Sequence, residues 1–239
     1  LLYLENAFSD GFINGLIRNL KIKIIVSFAK NTDYWLVQTN NVKRLLLSRL
    51  NSLSNNVLCL PFFNIMKNDE LDKTNNDINS FIYVSASEDK YKNHINLIDG
   101  FIIAHKKIRK IQLHLTINSP QHEIKSRLDF CMENNIPITN HGIVKKDELK
   151  RLYQNSNCVI FPSLVESFGL PIIEGINFGC KIIASDRKYV DAVCEPTMKF
   201  DPLNKFDIAD KIVKFCTGKT KKSKLLVKDE INNILELFN

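Results

Sequence analysis

A Rossmann-like α/β fold, with one parallel sheet carrying helices on both faces, follows from three features of the sequence. Between residues 81 and 184, short apolar runs alternate with longer segments of helical periodicity, the pattern of βαβ crossovers and hence of parallel strands. The runs, Val159–Phe161 among them, are continuously apolar rather than alternating, as strands buried on both faces must be. The composition, 44% hydrophobic and 25% charged over 239 residues, excludes disordered, collagenous and coiled-coil classes.

Taken in order, Phe12–Lys30 reads as helix, because Phe12, Leu16, Leu20 and Ile24 recur at every fourth place. Tyr34–Gln38 is expected to be a strand, Val42–Asn51 a helix and Val57–Leu60 another strand. That is about half of a second α/β unit, too little to close a sheet. Residues 1–65 are therefore expected to be a partial, truncated N-terminal domain. A chain that begins with Leu1 rather than methionine agrees with this. Met66–Ser80 is polar and without periodicity, so residues 66–80 read as a linker.

The regular pattern then begins. Phe81–Ser85, Ile111–Ile117, Ile136–Thr139, Cys158–Phe161 and Lys181–Ala184 are the expected strands. His94–Lys107, Glu123–Asn134, Lys146–Gln154 and Pro171–Phe178 are the expected helices between them. Asn204–Cys216 and Leu225–Phe238 read as closing amphipathic helices, which makes 81–217 the main domain and 218–239 a C-terminal helix.

The formal charge is +7, spread along the chain apart from Lys219, Lys221, Lys222 and Lys224. No basic stripe interleaved with aromatics is present, which argues against nucleic acid as a partner. A mild positive field suits a phosphate-bearing substrate or an anionic membrane surface. The six cysteines show no C-x-x-C spacing and read as reduced, mostly buried small hydrophobes. Leu1–Asp10 has no basic start before its apolar residues, and the apolar runs are far shorter than the ~20 residues that span a bilayer. A soluble cytoplasmic protein is the expectation.

In open parallel sheets, ligands bind beyond the carboxyl ends of the strands, so the turns after the strands should carry the chemistry. The richest is Phe161-Pro-Ser-Leu-Val-Glu-Ser-Phe-Gly-Leu-Pro-Ile-Ile-Glu174. Pro171 is expected at the first helical position. The amides near Gly169 and Leu170 would then face an anion such as a diphosphate at the positive end of the helix. Gly169 would let that ligand approach the backbone closely. Glu166 in the loop and Glu174 in the first helical turn place two carboxylates beside one anion site, able to accept hydrogen bonds from sugar or ribose hydroxyls.

This string resembles the E-x7-E signature of the retaining, nucleotide-sugar-dependent glycosyltransferases of family GT4 (glycosyltransferase group 1). The likeness runs in order through residues 81–217, by way of Lys92-Asn93-His94, His141-Gly142-Ile143-Val144, Glu148-Leu149 with Tyr153, Ile183-Ala184-Ser185-Asp186 and Phe200-Asp201-Pro202. Residues 33–63, with Val37-Gln38-Thr39, resemble only the end of the family's N-terminal, acceptor-side domain. The resemblance implies a GT-B fold in which 81–217 is the nucleotide-sugar-binding domain. It implies transfer of a hexosyl group from a nucleotide-diphosphate sugar to a glycan or lipid-linked acceptor, with retention of configuration. Surface polysaccharide biosynthesis at the inner face of a membrane, with peripheral membrane contact, is implied at the family level.

Residue by residue, the resemblance implies that Lys92 pairs with the donor diphosphate and that Glu166 bonds the transferred sugar. Glu174 would bond the ribose diol. Phe168, Gly169 and Leu170 would offer backbone amides, and Gly142 and Ile143 would lie against the base. His94 and His141 border this cleft and read as structural. Where the family commonly has an arginine, five residues before the lysine, this chain has Ser87, so one phosphate-neutralising charge is missing.

No cofactor is expected beyond the donor itself. The chain has no D-x-D pair of the kind that holds a cation in transferases of the other major fold, so no metal is expected. A dehydrogenase would need G-x-G-x-x-G after its first strand, and Tyr83–Lys92 contains no glycine. A nonhydrolysing sugar-nucleotide epimerase would need an acidic and basic set that is not identifiable. A noncatalytic nucleotide-sugar-binding module, or an inactive remnant, is the alternative of a different class.

Overall fold

The computed structural model describes residues 12–50, 56–66, 78–120 and 122–237. The chain begins with α1 (Phe12–Ser27), followed by β1 (Trp35–Val37), α2 (Asn40–Leu50) and β2 (Val57–Cys59). β1 and β2 pair in parallel, Leu36 opposite Leu58, over a small core of Ala29, Val37, Leu46, Leu50 and Val57.

The main body follows: β3 (Asn79–Tyr83), α3 (His94–Lys107), β4 (Ile111–Leu115), α4 (His122–Glu133), β5 (Ile138–Asn140), α5 (Lys146–Gln154), β6 (Cys158–Phe161), α6 (Leu170–Asn177), β7 (Lys181–Ser185), α7 (Lys188–Asp191), β8 (Cys194–Glu195), β9 (Met198–Phe200) and α8 (Lys205–Thr217). Six strands form one sheet in the order β5-β4-β3-β6-β7-β9, and all its pairings are parallel. This is the doubly wound Rossmann order. The middles of the central strands are apolar because both faces are covered: Phe81, Ile82, Tyr83, Val159, Ile160, Ile182 and Ile183 are all fully buried. α3 packs against α4 and α8. On the other face the Tyr153 ring of α5 stacks on Phe178, which caps α6.

Two glycines set how closely helices approach. A Cβ on Gly175 would lie 2.4 Å from Val159 Cγ2, so α6 rests directly on β6. A Cβ on Gly100 would lie 2.8 Å from Ile208, where α3 meets α8.

The structure departs from the sequence expectations in several places. β3 starts at Asn79, inside the stretch assigned to the linker, because Ser80 N donates to Asn157 Oδ1 at 2.8 Å and Asn79 N to Lys110 O at 3.0 Å. Residues 67–77 lie outside the described part. α7, β8 and β9 lack a strong periodic signal. The C-terminal segment is not one long helix. Lys224–Leu225 forms β10, antiparallel to β8, and only Ile231–Glu236 is helical, as α9. The segment then returns to the N-terminal part: Glu230 N donates to Pro61 O at 2.7 Å and Phe63 N to Asp229 Oδ1 at 3.3 Å. All six cysteines are free, with Cys131, Cys158, Cys180 and Cys194 buried. Among the described residues no helix is long and apolar enough to cross a membrane.

Candidate functional site

The sheet order reverses at β3, which has β4 on one side and β6 on the other. The loops leaving β3 and β6 therefore open a crevice at the switch point. Lys92 ends the first loop and Glu166 lies in the second. Their side chains meet, Lys92 Nζ to Glu166 Oε1 at 2.7 Å, with only 18% and 14% of their surfaces exposed.

This pair is held from below. Tyr83, at the end of β3, donates its hydroxyl to Lys92 O at 3.0 Å and lies 2.9 Å from Ser163 Oγ. Tyr189 OH donates to Ser163 O at 2.7 Å. Asn93 sits in the left-handed region at φ 60° as the N-cap of α3. Its buried Nδ2 donates to Pro162 O at 3.1 Å and Pro202 O at 2.7 Å, joining the loops after β3, β6 and β9.

Ser87, at the position of the expected arginine, is a structural member of the turn. Its hydroxyl donates to the Asp89 carboxylate, it accepts from Asp89 N at 3.2 Å, and its carbonyl lies 2.9 Å from His94 Nε2. Burial lowers the His94 pKa to about 4, so the ring is neutral. Burial and the Asp89 carboxylate push Tyr91 up to about 12, and Lys92 Nζ lies over its ring at 5.2 Å.

α6 starts at Leu170, with Gly169 as N-cap at φ 78°. Two sequence expectations are corrected here. Pro171 is the second helical residue, and Glu174 lies beyond the first turn, so Glu174 is not a first-turn partner of the helix dipole. The amides of Gly169 and Leu170 have no intrahelical acceptor by virtue of their position and lie at the positive end of the helix. Phe168 turns its ring inward, 5.6 Å from Phe63, which leaves only its backbone for a ligand. Ser167 O accepts from Thr39 Oγ1 at 3.4 Å, so the Glu166 loop touches the N-terminal part.

Glu174 is buried and accepts at Oε2 from Tyr153 OH at 2.8 Å. Burial raises its pKa, against the opposing pull of the Tyr153 hydrogen bond and the Lys146 charge. Lys146 opens α5, and Gly142 and Ile143 lie three to four residues before it. Gly142 has φ 67° with open space where a Cβ would stand, and Ile143 is 74% exposed. Beneath them His114 Nδ1 lies 3.0 Å from His141 Nε2, and burial together with His141 lowers the His114 pKa to about 4.

Lys92 and Glu166 are thus in direct contact. The two glutamates engage different partners: Glu166 meets Lys92 and Glu174 meets the Tyr153 hydroxyl. Sequence reasoning missed the hydroxyl of Tyr153, the Asn93 clamp and the Tyr83–Ser163–Tyr189 support. Asn93 and Tyr153 stood in the family likeness without a role, and asparagine is enriched at the positive φ that Asn93 adopts. Among the described residues no group of three or more His, Cys, Asp and Glu is gathered for a metal.

The profile described as glycosyl transferases group 1 matches residues 66–228. The chain belongs to this glycosyltransferase family. A curated relative, the uncharacterized glycosyltransferase MJ1059 of Methanocaldococcus jannaschii, is 24% identical over 204 residues, 79% of this chain and 48% of the relative. The chain thus spans about half the length of that curated relative. Among solved structures, S. aureus TarM in complex with fondaparinux, alpha-GlcNAc-glycerol and UDP has a TM-score of 0.66 at 20% identity, over 82% of this chain and 39% of TarM. Sucrose-phosphate synthase from Thermosynechococcus elongatus has a TM-score of 0.64 at 19% identity, over 82% of this chain and 52% of that one. The fold of this glycosyltransferase-family chain is that of GT-B enzymes.

Proposed function

We propose that this chain binds a nucleotide-diphosphate sugar and serves transfer of its hexosyl group, with retention, to a glycan or lipid-linked acceptor. The observation that carries the reading is the Lys92–Glu166 pair at the switch point, set beside the N-terminus of α6. As the glycosidic bond of the donor breaks, negative charge builds on the departing diphosphate. Preorganised donors in a partly dehydrated site stabilise such charge. Lys92 supplies an ammonium with three donors, so it can stay with Glu166 while it meets a phosphate oxygen. The amides of Phe168, Gly169 and Leu170 supply uncharged donors beside it. This set neutralises the leaving group with no metal required.

Glu166, already oriented by Lys92, accepts from a hydroxyl of the transferred sugar. Glu174 accepts from the ribose diol, and the Gly142–Ile143 turn offers an apolar surface to the base. The UDP of the TarM complex, and the UDP and GlcNAc in the pneumococcal transferase GtfA, support a donor of this class. In this reading residues 81–217 are the donor domain, residues 1–65 belong to an acceptor-side domain and the segment 218–239 ties the two. The setting we propose is surface polysaccharide biosynthesis in the cytoplasm at the inner face of a membrane, whose anionic surface would favour a chain of charge +7.

Calorimetric titration with nucleoside diphosphates tests the donor site, and product formation from a radiolabelled sugar nucleotide tests transfer. Binding with no transfer would favour the binding-module alternative. Absence of both would overturn the reading.

A further inference from the structure

We infer that Tyr153 is a positioning residue that aims Glu174 at the ribose, making the site selective for ribonucleotides over deoxyribonucleotides. This rests on the donor reading above and adds the group that gives it sugar specificity. Tyr153 is fully buried on α5. Its ring stacks on Phe178 with centroids 5.6 Å apart and planes within 6°, and its carbonyl accepts from Cys180 Sγ at 3.3 Å. The ring is fixed by these contacts, and its hydroxyl reaches Glu174 Oε2 at 2.8 Å. A phenylalanine would fill the same space, so packing does not explain the hydroxyl.

The hydroxyl does two things to the carboxylate. It fixes the rotation of the carboxyl group, and it uses only part of the acceptor capacity of one oxygen, leaving Oε1 for a vicinal diol. Burial raises the pKa of Tyr153 well above its ordinary value, so the phenol remains a donor throughout the working pH range. A carboxylate with one face fixed loses little freedom when the diol arrives, and preorganisation of this kind raises affinity without adding a contact. The gain applies to ligands that carry the hydroxyls and not to those that lack them.

The test uses the full chain. UDP, GDP and ADP are titrated to find the base that binds. That nucleotide is then compared with its 2′-deoxy form and with inorganic pyrophosphate. The wild type should prefer the ribonucleotide by about tenfold or more, the range expected for a hydrogen bond to a charged group. Tyr153→Phe should cut that preference by about threefold to tenfold and leave pyrophosphate binding unchanged. In a Glu174→Ala background the same substitution should change nothing further.

Glu174→Gln provides a second readout should Tyr153→Phe fail to fold. If Tyr153 fixes the amide oxygen, the NH2 is turned to the ribose and the preference falls. If Tyr153 fixes nothing, the amide can flip and the preference survives, which overturns the inference. Equal weakening of ribo and deoxy forms by Tyr153→Phe also overturns it, while the donor reading stands. A wild type that binds none of the nucleotides overturns both.

Discussion

On the rim formed by the β3 and β6 loops the candidate groups are a part-exposed ion pair, Lys92 and Glu166, whereas on the rim formed by α5 and α6 Glu174 is buried and held by a phenol. The first rim is suited to charge. Its lysine keeps enough contact with water to exchange partners, and a group that must release its product should not bind too well. The second rim is suited to discrimination. A buried carboxylate left without hydrogen-bond partners is costly, so a ligand lacking the right hydroxyls is penalised. Two histidines near these loops have lowered pKa values: buried His94 at the start of α3, and part-buried His114 on β4 beside His141. On the proposed reading, the first rim would hold a phosphate and the second would read a sugar.

The comparison breaks first at Lys92. Lys92→Ala should lower the transfer rate by about 10²–10³, the usual cost of removing one preorganised donor to developing negative charge. It should also weaken inorganic pyrophosphate binding while leaving the ratio of ribo to deoxy affinities intact. Initial rates with labelled donor and titrations of pyrophosphate check both parts. A change in the ratio would mean the rims are not separate.

Acid should act on both rims. The unfolded chain takes up protons on histidine near pH 6.5, whereas His94 and His114 in the folded chain do so only near 4. Between those values the unfolded state binds more protons, so stability is complete above about pH 6.5 and falls as the pH drops towards 4. For His94 the loss is of order 3 kcal/mol, and for the less buried His114 it is smaller. Denaturant melts from pH 7 to 4.5 follow this. His94→Gln should flatten the curve, and an unaltered slope would count against the assignment.

Glu174→Ala comes next. Loss of a buried charged acceptor is worth about 1.5–3 kcal/mol, so nucleotide affinity should fall on the order of tenfold or more, with pyrophosphate unaffected. Calorimetry reads both ligands. An unchanged nucleotide affinity would remove Glu174 from the site.

Much of this architecture could be read before folding was considered. α3, α5 and β6 begin and end where the pattern placed them, because apolar runs and strong amphipathicity report burial directly. The limits of β3 were hidden, since Asn79 and Ser80 look like loop and become strand only through Asn157 and Lys110. Leu225 fitted a helical pattern and was taken instead by β8. The site divides the same way. Lys92 and Glu166 stand 74 positions apart, and the sequence joins them only through resemblance to the family motif, whose arginine position this chain fills with a turn-forming serine. Tyr153 stood in the family likeness without a role, because a tyrosine on the buried face of a helix looks like core until its hydroxyl is located.

The smallest effect belongs to Asn93, and it separates backbone shape from loop clamping under the phosphate rim. Its φ of 60° costs a non-glycine residue roughly 1–2 kcal/mol, less for asparagine. Its Nδ2 joins Pro162 and Pro202. Asn93→Gly keeps the conformation and removes the clamp, whereas Asn93→Ala loses both. The alanine variant should therefore melt at lower denaturant than the glycine variant, by about 1 kcal/mol. Both should weaken pyrophosphate binding by a few-fold and leave the ribose preference alone, because the clamp fixes Lys92 and never touches α5. If the glycine variant bound pyrophosphate like the wild type, the clamp would serve stability alone, and Tyr83 would be left as the support that fixes Lys92.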